Sequence, residues 1–177
     1  LHEAIASGAD TLVSGGVVQS NSQRQVAAAA AKLGLGCHLA VYHGRLAPPS
    51  AEYERTGNAL LNRLMGADVH YVASREERAP RMEALAAEFR ASGRTPYVIP
   101  LGASTPLGAM GFVHAVGELL DQVPAPDAIV HACSSGGTQA GLAAGLALHG
   151  MDVPVIGISA DDPADAVHGG VGGLTGD

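Results

Sequence analysis

Lysine is nearly missing from this sequence: Lys32 is the only one among 177 residues. Ten basic side chains face 17 acidic ones, for a net charge of −7. That balance argues against nucleic acid or an anionic membrane as main partner, because both need a basic face. Cysteine is also scarce. Cys37 and Cys133 are the only two, far apart, so neither a disulfide framework nor a zinc cluster is suggested, and a reducing cytoplasm fits. The eight histidines include no H-x-H or H-x-x-x-H pair, and no metal site is expected. No apolar run is long enough for a bilayer: "AGLAAGLALHGMDVPVIGI" is broken by His149, Asp152 and Pro154. The start has no secretory pattern.

What is present is an apolar fraction of 47%, enough for a sizeable core. Runs rich in β-branched residues alternate with helical spacing. Strands are expected at 11–16, 37–43, 68–73, 96–101, 127–133 and 153–159. Between them, Val26, Ala29, Ala30 and Leu33 repeat at i, i+3, i+4, i+7, and Met82, Leu85, Ala86 and Phe89 make a second stripe. Ser50 is expected to cap a helix with an apolar face of Leu60, Leu61, Leu64 and Met65. Ser74 and Glu77 read as an S-x-x-E capping box. Thr105 followed by Pro106 opens a helix carrying Met110, Val113, Val116 and Leu120. Pro48 and Pro49 make a loop. Gly137, Gly141 and Gly145 make a smooth helix face, expected to pack on the sheet. The glycines of "HGGVGGLTGD" are expected to resist regular structure. Strands separated by helices imply an α/β fold with three αβα layers and mostly parallel sheets.

Parallel sheets bind ligands where strands end and helices begin. Two turns carry chemistry. In "HACSSGGTQAG", Ser134, Ser135, Gly136, Gly137 and Thr138 stand between a strand and a helix N-terminus. Glycines let N–H groups converge on an anion, the helix end favours negative charge, and hydroxyls add donors. A plain Gly/Ser turn with an ordinary cap fits the spacing equally well. The G-K-[ST] of a Walker loop and a G-x-G-x-x-G fingerprint are both missing, which argues against nucleotide cofactors. In "SGGVVQSNSQRQ", Gln19, Ser20, Asn21 and Ser22 stand where a helix opens. One cap needs one side chain, not four; the others could hold a carboxylate or a phenolate oxygen.

"GGVVQSNSQRQVAAAAAKLGL", "YVIPLGASTPLGAMGFV" and "ACSSGGTQAGLAAGL" together resemble the D-cysteine desulfhydrase and 1-aminocyclopropane-1-carboxylate deaminase family. The resemblance runs in order from about Gly8 to Ser159. It implies the tryptophan synthase β-like fold (fold type II) and pyridoxal 5′-phosphate as cofactor. By resemblance, Asn21 bonds the cofactor's ring oxygen, Ser20, Asn21 and Ser22 hold the substrate carboxylate, and Ser20 takes part in proton movement. Ser135, Gly136, Gly137 and Thr138, with Ser134, hold the phosphate. Residues 1–100 correspond mostly to the smaller domain and 101–177 to part of the larger, cofactor-binding one. Many relatives have His or Gln where this chain has Ser22. The family's Schiff-base lysine belongs upstream of the QSN motif, and Lys32 does not match it. The chain is therefore expected to be a fragment, incomplete at both ends and inactive alone, of a cytoplasmic homodimer acting on a small amino acid. D-cysteine would give pyruvate, sulfide and ammonia. The alternatives are the cyclopropane amino acid as substrate, or a non-catalytic α/β domain that binds a phosphate ligand.

Overall fold

The computed structural model describes residues 1–44, 50–159 and 162–175, which form two compact units, Leu1–Gly102 and Ala103–Asp177. The expected loop at Pro48 and Pro49 lies outside the described residues.

In the first unit α1 (His2–Ala6) leads into β1 (Thr11–Val17), followed by α2 (Asn21–Leu33), β2 (Gly36–Tyr42), α3 (Gly57–Leu64), β3 (Asp68–Val72), α4 (Arg78–Ala91) and β4 (Pro96–Ile99). The strands form one parallel sheet in the order β3-β2-β1-β4. β1 is central, and its first six residues are buried. Because alternate side chains point to opposite faces, its two glycines serve two different neighbours. A Cβ on Gly15 would lie 2.6 Å from Met82 Sδ on α4. A Cβ on Gly16 would lie 3.0 Å from the Gln23 side chain on α2. The pair therefore lets both covering helices approach the middle strand. On the α4 face, Val13, Ala40, Met82 and Leu85 form a core against which Phe89 and Val98 pack.

The second unit contains α5 (Pro106–Gln122), β5 (Ile129–Cys133), α6 (Gly137–Leu148), β6 (Val155–Ser159) and α7 (Ala164–Thr175). β5 and β6 pair in parallel. Thr105 caps α5, its hydroxyl accepting from Gly108 N–H at 2.9 Å. The glycine stripe of α6 faces α5, not the sheet. A Cβ on Gly141 would overlap Ala109 O and come within 2.6 Å of Phe112 Cβ. One on Gly145 would lie 2.7 Å from Val116 Cγ2. Small residues on a helix let a second backbone close in, and here that partner is another helix.

Other local expectations are also corrected. Ser50 does not cap a helix; its hydroxyl accepts from Tyr53 N–H within a turn, and α3 begins only after Thr56. The leucines of α3 do not face the core. Leu60, Leu61 and Leu64 are exposed, while Ala59 and Asn62 are buried. Ser74 and Glu77 do not form a box. α4 starts at Arg78, and the Glu77 carboxylate accepts from Ala73 N–H at 3.0 Å. Met110 is exposed on α5, where Ala109 and Val116 are the buried positions. The glycines at 169, 170, 172 and 173 lie within helix α7.

The cysteines are buried and free, and burial, then Asp68, pushes the Cys37 thiol up to about 12. Two histidines far apart in sequence meet on β2 and β3: His38 Nδ1 and His70 Nε2 are 3.2 Å apart, with Phe89 against His38. Burial lowers both pKa values. Arg81 adds to this at His70, as His70 and Arg94 do at His38, while Asp68 opposes it at both and Glu88 at His70. The unfolded chain therefore takes up protons near the ordinary histidine value, about 6.5, before the folded chain does. Stability from the pair is fully present above that pH and falls as the pH drops through it toward the lower folded values. The melting temperature should fall between about pH 7.5 and about pH 5.5, and a His38→Gln/His70→Gln variant should show a shallower fall. An equal slope in the variant would assign the pH dependence to other groups.

Candidate functional site

The turn after β1 is built by amides. Ser20 is the N-cap of α2, its hydroxyl accepting from Gln23 N–H at 3.2 Å. Gln23 is fully buried. In the orientation that satisfies both its amide atoms, it donates to Val17 O and accepts from Gly16 N–H, each at 3.0 Å. One residue thus closes the end of β1 with its side chain and steadies Ser20 with its main chain. Val17 O also accepts from Ser20 N–H at 2.9 Å, so the Gln23 amide is its second partner.

Gln19 faces the other way. Its Nε2 donates to Tyr53 O at 2.6 Å and to Thr56 O at 3.2 Å, and its Oε1 accepts from Asn58 N–H at 2.8 Å. The Asn58 side chain answers: Nδ2 donates to Gln19 O at 2.9 Å and to Asn21 Oδ1 at 2.8 Å. The start of α3 is thereby clamped to the start of α2. Gly57 makes the clamp possible, since its φ is +54° and a Cβ there would lie 2.6 Å from Gln19 Oε1. Of the residues expected to touch a ligand, Asn21 is exposed, and Ser20 and Ser22 are half-buried. Gln19 is structural.

In the second unit, β5 ends at Cys133 and α6 begins at Gly137. Gly136 occupies the N-cap with φ +84°, and no side chain caps the helix. The N–H groups of the first turn are therefore presented by a 12-residue helix. Gly136 and Gly137 are buried, Ser134 and Ser135 exposed, and Thr138 half-buried. A Cβ at Gly137 would lie 2.8 Å from Ser104 Oγ, and one at Gly136 would lie 3.2 Å from Val171 Cγ2. Ser104 donates its hydroxyl hydrogen to Ser135 Oγ at 2.7 Å. Gly136 and Gly137 make room for Val171 and Ser104, and the two hydroxyls beside an uncapped helix end fit a phosphate group. Lys32 lies exposed in the last turn of α2, where a cation suits the helix dipole. Among the described residues, no three His, Cys, Asp or Glu are grouped to hold a metal.

Gln23, Asn58 and Ser104 were not anticipated. Ser20 and Gln23 fit the S-x-x-Q form of the capping box, which is the signal in the sequence for the first of them. Nothing local to Asn58 or Ser104 announces partners 37 and 31 positions away.

The model of the family described as "Pyridoxal-phosphate dependent enzyme" matches residues 1–174. The chain belongs to that family. D-cysteine desulfhydrase of Salmonella typhi is 39% identical over 160 residues, which cover 89% of this chain and 48% of the relative. The same enzyme of Salmonella paratyphi B shows equal identity and coverage. The crystal structure of an ACC deaminase homologue superposes with a TM-score of 0.87 at 33% identity, over 98% of this chain and 52% of its own. Maize serine racemase, at 20% identity and a TM-score of 0.61 over 86% of this chain and 42% of its own, shares the fold. The expected fold type II architecture is thus borne out. The chain spans about half the length of the curated relatives it matches. Among the described residues, no helix is long and apolar enough to cross a membrane.

The clamp predicts a cost for Gly57→Ala beyond that of a strained backbone. Gly34, with φ +69° and open space around it, is the control. Gly34→Ala should cost about 1 kcal/mol from the left-handed conformation alone. Gly57→Ala should cost more, seen as a larger drop in melting temperature. Equal drops would mean that the Gln19 contact yields freely.

Proposed function

We propose that this chain is part of a pyridoxal-phosphate-dependent lyase acting on a small amino acid, with D-cysteine as substrate and pyruvate, sulfide and ammonia as products. The observation that carries it is the uncapped α6 N-terminus with the Ser104 and Ser135 hydroxyls beside it. Support for the substrate class comes from the 39% identity to D-cysteine desulfhydrase. Family membership disfavours a non-catalytic phosphate-binding domain.

In this reading the Ser135 and Thr138 hydroxyls and the first N–H groups of α6 hold the phosphate, with Ser134 at the rim. The Asn21 amide holds the ring oxygen. Ser20, Asn21 and Ser22 hold the substrate carboxylate, and Ser20, steadied by Gln23 N–H, moves a proton. Bound, the cofactor supplies an electron sink for charge left on the substrate α-carbon. Residues 1–100 act as the smaller domain and 101–177 as part of the cofactor-binding one. The reading includes a homodimer in the cytoplasm, on the ground of the family resemblance.

The test uses the full-length enzyme with its Schiff-base lysine. Ser135→Ala/Thr138→Ala should weaken pyridoxal phosphate binding about tenfold or more, as loss of hydrogen bonds to a charged group implies. Binding is read by titrating the visible absorption band, and sulfide release from D-cysteine reports the reaction. Unchanged affinity would reject the phosphate site. Ammonia from the cyclopropane amino acid without sulfide from D-cysteine would reject the substrate.

A further inference from the structure

The amides around the first turn have a fixed polarity. An amide side chain can usually be turned over, exchanging donor and acceptor. Here main-chain groups remove that freedom. Tyr53 O and Thr56 O can only accept, so the near atom of Gln19 must be its nitrogen. Asn58 N–H can only donate, so the other atom of Gln19 must be oxygen. Gln19 O can only accept, so Asn58 must point its nitrogen inward. That same nitrogen reaches Asn21 at 2.8 Å, and the atom it meets must be Oδ1. The polarity that Gln19 O sets on the Asn58 amide therefore ends on Asn21, whose Nδ2 is left on the other branch of an exposed side chain.

We propose that Asn58 is a positioning residue that orients the Asn21 amide so that Asn21 offers a donor, not an acceptor, to its ligand. The ligand atom it suits is an anionic oxygen. This rests on the reading that Asn21 holds the ring oxygen of pyridoxal phosphate. Without Asn58 the Asn21 amide is free to turn, and part of its interaction with that oxygen is spent on orienting it. Asn58 thus acts through Asn21 and needs no contact with the ligand.

The test reads the pH titration of the visible band of bound pyridoxal phosphate in the full-length enzyme. A donor on the ring oxygen stabilises its negative charge and weakens its hold on a neighbouring proton. Losing the donor moves the titration midpoint to higher pH, by about one pH unit for one hydrogen bond to a charged atom. Asn21→Ala and Asn58→Leu should both raise the midpoint, and the double variant should raise it no further than Asn21→Ala alone. Asn58→Asp keeps the size and the main-chain N–H but cannot donate. It should draw Asn21 Nδ2 toward itself and raise the midpoint. A carboxylate also raises it by charge alone, so the rise counts only where it exceeds what Asn58→Asp adds to Asn21→Ala. On that comparison it carries the test if the leucine variant does not fold. A midpoint that moves in Asn21→Ala but not in the Asn58 variants would overturn the positioning role and leave the reading of Asn21 intact. A midpoint unmoved in Asn21→Ala would overturn both.

Discussion

The carboxyl end of β1 is the constraint on which the first unit depends. A central strand is buried on both faces, so where it stops its main-chain groups need partners that water cannot supply. Gln23 supplies two of them at Gly16 and Val17. Its own N–H goes to Ser20, which in turn caps α2. The start of α2 is therefore set by the needs of the strand before it. Gln19, one residue outside the helix, repeats the logic toward α3 through Tyr53, Thr56 and Asn58. The polar side chains from Gln19 to Gln23 look redundant as a helix cap because only Ser20 is the cap. Gln19 and Gln23 fasten the turn, and Asn21 is left facing outward.

Glycine serves close approach in both units, with different partners. On β1 it admits helices to a sheet, with Gly15 beneath Met82 and Gly16 beneath Gln23. On α6 it admits a helix to a helix, with Gly141 and Gly145 against Ala109, Phe112 and Val116. A periodic stripe of glycines shows in sequence that something comes close. It does not show what, because the spacing that smooths a helix face is the same for either partner. The positive φ at Gly136 is a separate use. It turns the chain from β5 into α6 without a side chain in the way.

The sequence made the alternation of strands and helices legible because each period has a strong physical cause, and all six expected strands form. The stripe Met82, Leu85, Ala86 and Phe89 holds because α4 packs on a single face of the sheet. The α3 leucines mislead because an amphipathic pattern records that a face is apolar and not what covers it. In α3 the buried side is set by Ala59 and Asn62, next to the Gln19 clamp. Ser74 and Glu77 had the right spacing, but Glu77 sits beside Ala73 N–H and α4 begins after it. The candidate ligand residues were legible as polar side chains at strand ends. Their supports were not, since Asn58 and Ser104 act across 37 and 31 positions.

The two kinds of polar network divide the response to pH. Gln19, Ser20, Asn21, Ser22, Gln23 and Asn58 contain no group that titrates near neutrality. A turn made of amides and hydroxyls keeps its donors and acceptors unchanged from acid to base. The histidine pair on β2 and β3 does titrate, and its neutral form is the one the fold favours. Acidification therefore weakens the first unit through the sheet before it alters the polarity of the turn.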